Sequence, residues 1–311
     1  MSPRVRAFAE ATYNQAMPEP LIVVPDEVLH LAEQSVGQFF HGVAGTSVEA
    51  NARDHVDVVR PLKKGRILEA YTPLHGKKLL EIGCGFGTNL ATWIKQYELD
   101  AYGTERDTEG FSYSLQAASI LFAANGLDAS RIIRVTTDQL PFEDASFDVV
   151  YSGNVLEHTE NPHLILREAV RVLRPGGVLH VEVPNYLFYY EGHYFLPQPP
   201  LIWRWMLPAW VQLFGRDPAF ARTMRTELNP IWFRRAIREI NRQYPVRILS
   251  LGEEVFLNRL KRPFDFEMER TADKLGTPVR IFQSVNLGNW IGRLIVLAQG
   301  HYPIYLTAIR G

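Results

Sequence analysis

The sequence predicts an α/β fold in which a mostly parallel sheet is covered by helices on both faces. Three observations carry this reading. Residues 77–89, KKLLEIGCGFGTN, read as a short apolar strand, a glycine-spaced turn and a helix start. From residue 77 onward, strand-like and helix-like segments alternate, the order that builds a parallel sheet. The helical run 162–173 stops at Pro175-Gly176-Gly177 and an apolar strand-like run follows.

Composition bounds the function classes. A chain of 311 residues is long enough for one large α/β domain with additions or for two small ones. Its net charge of −1, without a basic arm, gives no support for a nucleic-acid partner. The single cysteine, Cys84, excludes an internal disulfide and a multi-cysteine zinc site. It also points to a reducing compartment, so the expected location is cytoplasmic. The N-terminal stretch lacks the apolar core of a secretory leader. The most apolar run, Leu201–Phe214, is broken by Arg204 and Pro208 and is shorter than the ~18–20 residues of a membrane span.

The elements follow in order. Residues 1–47 read as an irregular arm with a short helix from Asp26 to Val36. Residues 48–311 form the main domain. Val48–Tyr71 suggests one or two helices with a break near Pro61 or Gly65. Strands are expected at 77–82, 99–105, 131–136, 147–152 and 178–184, with helices at 88–97, 108–124 and 162–173. Asn161-Pro162 places a capping side chain before a proline in the first helical turn. Another Asn-Pro, 229–230, opens a further helix. A strand at 245–251, a helix near 287–298 and a strand at 302–309 complete the pattern. The aromatic, proline-rich stretch 186–226 and the charged stretch 252–280 follow strands, where loops of open α/β sheets form ligand sites. Both are read as substrate-side lid insertions.

Four features converge on one edge of this sheet. Gly83, Gly85 and Gly87 let the backbone turn sharply and approach a ligand, and the helix start behind them offers unpaired N–H groups. The spacing lacks the third glycine of a dinucleotide fingerprint, because Thr88 stands there. Alone, the glycines also fit a ligand-free turn. Glu105 lies 18 to 22 residues beyond them at a strand end, where a carboxylate can accept from both hydroxyls of a ribose. Asp138-Gln139-Leu140 follows the third strand and suits an adenine, although Asp-Gln before Leu-Pro also fits a plain turn. Asn154-Val155-Leu156-Glu157-His158 follows the fourth strand.

Residues 77–185 resemble a family. LLEIGCGFG, GTERD, DQLPFEDASFDVVYSGNVLEH and LREAVRVLRPGGVLHVEVPN are similar to the successive motifs of class I S-adenosylmethionine-dependent methyltransferases, in the small-molecule branch with VLEH and LRPGG signatures. The resemblance implies a Rossmann-like sheet of seven strands, with the last, here YPIYLTAIR, inserted antiparallel. It implies S-adenosyl-L-methionine as cofactor and S-adenosyl-L-homocysteine as product. Glu81, Gly83, Gly85 and Gly87, with Cys84 in the same turn, would line the methionine part. Glu105 would hold the ribose, with Arg106 beside it. Asp138, Gln139 and Leu140 would flank the adenine, and Asn154 and Val155 would lie beneath the sulfonium.

A hydroxyl acceptor would need a base, and His193 and His158 are the candidates, with Glu157 to orient either. Glu157 and His158 fit capping of the following helix equally well. Glu157, His158 and His193 are also ligand types for a divalent metal, and the residues alone leave metal dependence open. The expected acceptor is a small molecule, carbohydrate-containing or a natural product, methylated on oxygen. Alternatives are a lipid or quinone intermediate methylated at a membrane surface, touched by the Trp-rich run, and a non-catalytic binding module. Eight arginines between 216 and 247 read as a solvated face, or else as a site for a phosphate or carboxylate. Oligomeric state is not legible.

Overall fold

A computed structural model describes residues 18–39, 47–106, 113–188, 190–194, 196–261 and 287–311. The start of the expected arm (1–17), the first part of the 108–124 helix and most of the 252–280 insertion lie outside the described residues.

The described helices are α1 (Asp26–Phe39), α2 (Val48–His55), α3 (Val59–Glu69), α4 (Thr88–Tyr97), α5 (Ser114–Ala124), α6 (Pro162–Val172), α7 (Leu207–Leu213), α8 (Pro230–Ile240), α9 (Glu253–Lys261) and α10 (Leu287–Leu297). The main sheet contains β1 (Lys78–Ile82), β2 (Asp100–Glu105), β3 (Ile132–Arg134), β4 (Phe147–Gly153), β5 (Leu173–Val183), β8 (Val246–Ser250) and β9 (Ile304–Arg310). A separate two-stranded ribbon pairs β6 (Tyr190–Glu191) with β7 (Leu196–Pro197).

The sheet order is β3-β2-β1-β4-β5-β9-β8. Strands β1 to β5 pair in parallel, and β9 runs antiparallel between β5 and β8. The seven strands and the antiparallel insertion are those the family resemblance implies. Chain order reverses at β1, which pairs with β2 on one side and β4 on the other. In an open α/β sheet that is where the strand ends splay to leave a ligand crevice.

The two faces of the sheet bury separate apolar layers, as strands covered on both sides require. Leu80, Val150, Leu179 and Leu306 pack with Ile165 of α6 and Phe233 and Ile237 of α8. Leu79, Ala101 and Val149 pack with Val28, Leu68, Trp93 and Leu121 from α1, α3, α4 and α5. Fully burying each large apolar side chain contributes about 1.5–3 kcal/mol. Both Asn-Pro helix starts form. Asn161 Oδ1 accepts from Leu164 N–H at 3.0 Å, and Asn229 Oδ1 accepts from Ile231 and Trp232 N–H.

Several boundaries depart from expectation. The break in 48–71 falls at residues 56–58, not at Pro61 or Gly65. Pro61 lies in the first turn of α3, where its missing N–H costs no hydrogen bond, and its carbonyl accepts from Trp93 Nε1 at 2.6 Å. Gly65 is needed because Tyr97 packs directly on it. Strand β3 spans three residues rather than six. β5 begins at Leu173, five residues early, because Leu173 already pairs with Phe147. Arg174 to Gly177 bulge out of that strand, with Gly176 at φ +79°, before pairing resumes at Val178.

Candidate active site

The glycine turn closes β1 onto α4. Gly83, Gly85 and Gly87 all take left-handed φ, +71°, +52° and +76°, which L side chains resist. Two of them are also packed: a Cβ on Gly83 would overlap Val155, and one on Gly87 would press on Ala118 and Phe122 at 3.2 Å. Gly85 faces open space. The turn is tied to the next strand, since Gly83 and Cys84 N–H both donate to Thr104 O (2.8 and 3.0 Å). Cys84 is buried with its sulfur over Gly103, and burial raises its thiol well above the ordinary range. It therefore contributes backbone to the turn.

Glu81 ends β1 beneath this turn. It is buried; Oε1 accepts from Asn89 Nδ2 at 2.7 Å, and Oε2 has no hydrogen-bond partner among the described residues. Burial pushes its carboxyl up to about 8, against the smaller lowering by Asn89. Glu105, at the end of β2, accepts from Gly85 N–H at 2.5 Å and from Arg106 N–H at 3.0 Å. Arg106 Nη2 reaches Asp138 Oδ1 at 2.5 Å, so those two expected residues pair with each other. Gln139 is exposed. Leu140 turns into the core, its N–H held by Glu168 (3.0 Å) and its carbonyl by Arg171 (3.1 Å).

Beyond β4, Asn154 has φ +55° and donates its N–H to Glu182 O at 2.8 Å. Val155 then packs on Gly83, and residues Leu156–His158 make one 3₁₀ turn. The helix-capping reading of Glu157 and His158 fails, because Asn161 caps α6. The Glu157 side chain is fully buried with neither carboxylate oxygen hydrogen-bonded among the described residues. Burial holds its carboxyl at about 7 despite the nearby His193. His158 Nε2 stands 3.9 Å from Glu157 Oε1, while Nδ1 is buried without a partner. Burial, aided by His193, lowers His158 to about 3, so its ring is neutral.

The fold brings His193 to the same place. The His158 and His193 rings meet edge to face with centroids 5.5 Å apart, and Phe220 packs on both at 5.2 and 5.1 Å. Glu157, His158 and His193 each place one donor atom within 4.8 Å of the others. Burial alone would lower His193, but Glu191 and Glu157 outweigh it and raise it above its ordinary 6.5.

Sequence reasoning missed two supporting residues. Glu191 orients His193 by accepting from Nδ1–H at 2.7 Å, while its other oxygen accepts from Tyr194 N–H at 2.6 Å. The Glu-x-His spacing was the available signal. Arg225 clamps the insertion onto the 3₁₀ turn, its N–H on Glu157 O (2.8 Å) and its guanidinium on Thr159 and Glu160 carbonyls (2.7 Å each). No local pattern announces that contact. By contrast Arg234, Arg235, Arg238 and Arg242 are exposed, as the solvated-face reading holds.

Residues 80–181 match the family profile described as "Methyltransferase domain". The chain is similar to the ubiquinone biosynthesis O-methyltransferase of Maricaulis maris, 30% identical over 112 residues, covering 36% of this chain and 42% of that protein. It is 26% identical over 148 residues to the demethylmenaquinone methyltransferase of Bacillus pumilus, covering 46% and 58%. The chain thus spans about half the length of these curated relatives. Among solved structures, geranyl diphosphate C-methyltransferase from Streptomyces coelicolor A3(2) aligns over 100% of this chain and 99% of that one, at 11% identity and a TM-score of 0.47. The profile match lies on β1 to β5, and the seven-stranded sheet around it, with β9 antiparallel, is the sheet that the resemblance of residues 77–185 implies.

Proposed function

We propose that the protein transfers the methyl group of S-adenosyl-L-methionine to a hydroxyl oxygen of a small molecule, a carbohydrate-containing or natural-product metabolite. The observation that carries this reading is the continuity at the end of β4. Val155 packs on the glycine turn, and the next three residues run straight into the Glu157–His158–His193 cluster.

The turn suits the cofactor. Glu81 Oε2 is a buried acceptor with no donor among the described residues, matching an ammonium group, and Gly85 leaves its side of the turn open. Glu81 and the turn 83–87 would hold the methionine part, Glu105 the ribose hydroxyls, with Arg106 beside it. Asp138, Gln139 and Leu140 would flank the adenine, and Asn154 and Val155 would lie beneath the sulfonium. Bound there, the cofactor supplies an activated methyl group. The chain's part is to align the acceptor oxygen, which can supply ~7–11 kcal/mol of the barrier, and to receive its proton. His193, with Nδ1–H fixed on Glu191, presents Nε2 for that proton.

Calorimetric titration with S-adenosyl-L-homocysteine tests the reading. Wild type should bind, and Glu105→Ala should bind about ten- to a hundredfold more weakly, as loss of charged hydrogen bonds implies. Unchanged affinity in the variant would displace the ribose from β2. Binding without turnover on any acceptor would favour the binding-module reading.

A second reading, methylation of a lipid or quinone intermediate at a membrane surface, has a specific support. Trp203, Trp205 and Leu213 are 65%, 71% and 76% exposed on the 186–226 insertion, although no helix among the described residues is long and apolar enough to cross a membrane. Tryptophan favours the lipid–water interface, and the two relatives above are named for quinone methylation. Co-flotation with lipid vesicles that disappears in a Trp203→Ser, Trp205→Ser double variant would favour it.

A further inference from the structure

We propose that Glu157, His158 and His193 form a binding site for a divalent first-row transition-metal cation, with Glu191 as its outer carboxylate. One donor atom from each of the three lies within 4.8 Å of the other two. Three observations set this cluster apart from ordinary packing.

Glu157 has 0% exposure and both carboxylate oxygens lack a hydrogen-bond partner among the described residues. An unpartnered buried carboxylate is costly, and a cation is the ligand that would offset that cost twice over. His193 is pre-oriented. Its Nδ1–H is spent on Glu191 Oε1 at 2.7 Å, Glu191 is itself fixed by Tyr194 N–H, and the Nε2 lone pair is left for a ligand. A carboxylate behind an imidazole in this way is the usual outer support of a metal-bound histidine. His158 brings a buried Nδ1 without a partner, held edge-on to His193 by the shared wall of Phe220.

Two imidazoles and one carboxylate favour manganese, iron, cobalt or zinc over magnesium or calcium, which prefer all-oxygen sites. Bonds of roughly 2.1 Å place neighbouring ligands roughly 3–3.5 Å apart, so the trio closes by about an ångström of side-chain rotation. Three protein ligands leave coordination positions open. An acceptor hydroxyl placed there would give up its proton to solvent water more readily, and His193 would then be a ligand in place of a base. That last consequence rests on the hydroxyl-transfer reading above, whereas cation binding does not.

The test uses untagged full-length protein, dialysed against chelator and titrated with Co²⁺ while the visible absorption is followed. The expected result is one Co²⁺ per chain with a mixed nitrogen–oxygen ligand spectrum. Glu157→Gln and His193→Ala should each bind at least about tenfold more weakly, and Glu191→Gln about 10- to 100-fold more weakly, as outer-shell losses do. S-adenosyl-L-homocysteine binding, measured on the same samples, reports that each variant is folded. No Co²⁺ binding by wild type below about 1 mM, or equal binding by Glu157→Gln and His193→Ala, overturns the site. Absent Co²⁺ binding with retained S-adenosyl-L-homocysteine binding refutes the cation alone. Co²⁺ binding without S-adenosyl-L-homocysteine binding supports the site and removes the methyl donor.

Discussion

Glu81 makes the cofactor reading measurable through protons. Its carboxyl, ordinarily near 4.5, is held up to about 8 by burial beneath the glycine turn. At pH 7 it is therefore roughly nine-tenths protonated in the free protein. A cofactor ammonium docked on Oε2 favours the ionised form, so binding should expel close to one proton per chain at pH 7 and about half a proton at pH 8. Titration calorimetry in two buffers of different ionisation enthalpy reads that number directly. Glu81→Gln should remove the release and weaken binding. The same group sets a stability slope. Between pH 4.5 and 8 the native chain keeps a proton that the unfolded chain has lost, so stability falls as pH rises through that window. The Glu81 contribution approaches roughly 1.4 kcal/mol per pH unit, and urea unfolding of Glu81→Gln should be shallower by that amount, the like contribution of Glu157 below pH 7 remaining. A proton count indistinguishable from zero in wild type, or an equal release in Glu81→Gln, would refute the placement of the ammonium on Glu81.

Three shorter predictions follow from the same geometry. Gly83→Ala forces an L residue to φ +71° and drives its methyl into Val155, so urea denaturation should show a loss of about 1–3 kcal/mol, with S-adenosyl-L-homocysteine affinity falling too. Asn161→Ala removes the cap of α6 and should cost about 1 kcal/mol in the same assay, leaving cofactor affinity unchanged. His193→Ala should lower turnover on an identified acceptor by about 10²–10⁴ with little effect on S-adenosyl-L-homocysteine binding, and full activity would remove it from the reaction.

Much of this was legible because the proposed cofactor side is written locally. The strand, the three glycines and the helix start sit within 13 consecutive residues, and glycine at left-handed φ leaves its mark directly in the sequence. The two Asn-Pro caps were legible for the same reason. Pro61 misled because a proline in a helical first turn and a proline that breaks a helix look alike until the first turn is located. The leading edge of β5 was obscured by Pro175-Gly176-Gly177, which serves as a bulge as readily as a turn. Glu157, His158 and His193 were nameable as one group, but not the contacts that hold them together. Those depend on Arg225 pinning a distant loop to the 3₁₀ turn, and on Glu191 choosing which ring nitrogen of His193 is occupied. Long-range hydrogen bonds of that kind have no periodicity to read.

The pairing of β5 with β9 has a further consequence. It joins Val183 to Ile304, so the chain between them is one long excursion that leaves β5, packs Phe233 and Ile237 of α8 on the sheet, lays β8 at its far edge and returns beside its point of departure. Closing such a loop costs free energy that grows only with the logarithm of its length, about 0.6 kcal/mol for each doubling. The excursion carries Glu191, His193, the exposed tryptophans and α7 to α10, whereas the glycine turn, Glu81 and Glu105 lie wholly upstream of it. Insertions and exchanges of acceptor-side segments should therefore be tolerated without disturbing the cofactor half. Chimeras exchanged within residues 186–226, which leave α8 and β8 on the sheet, are the natural way to graft a new acceptor preference onto the proposed methyl-donor site.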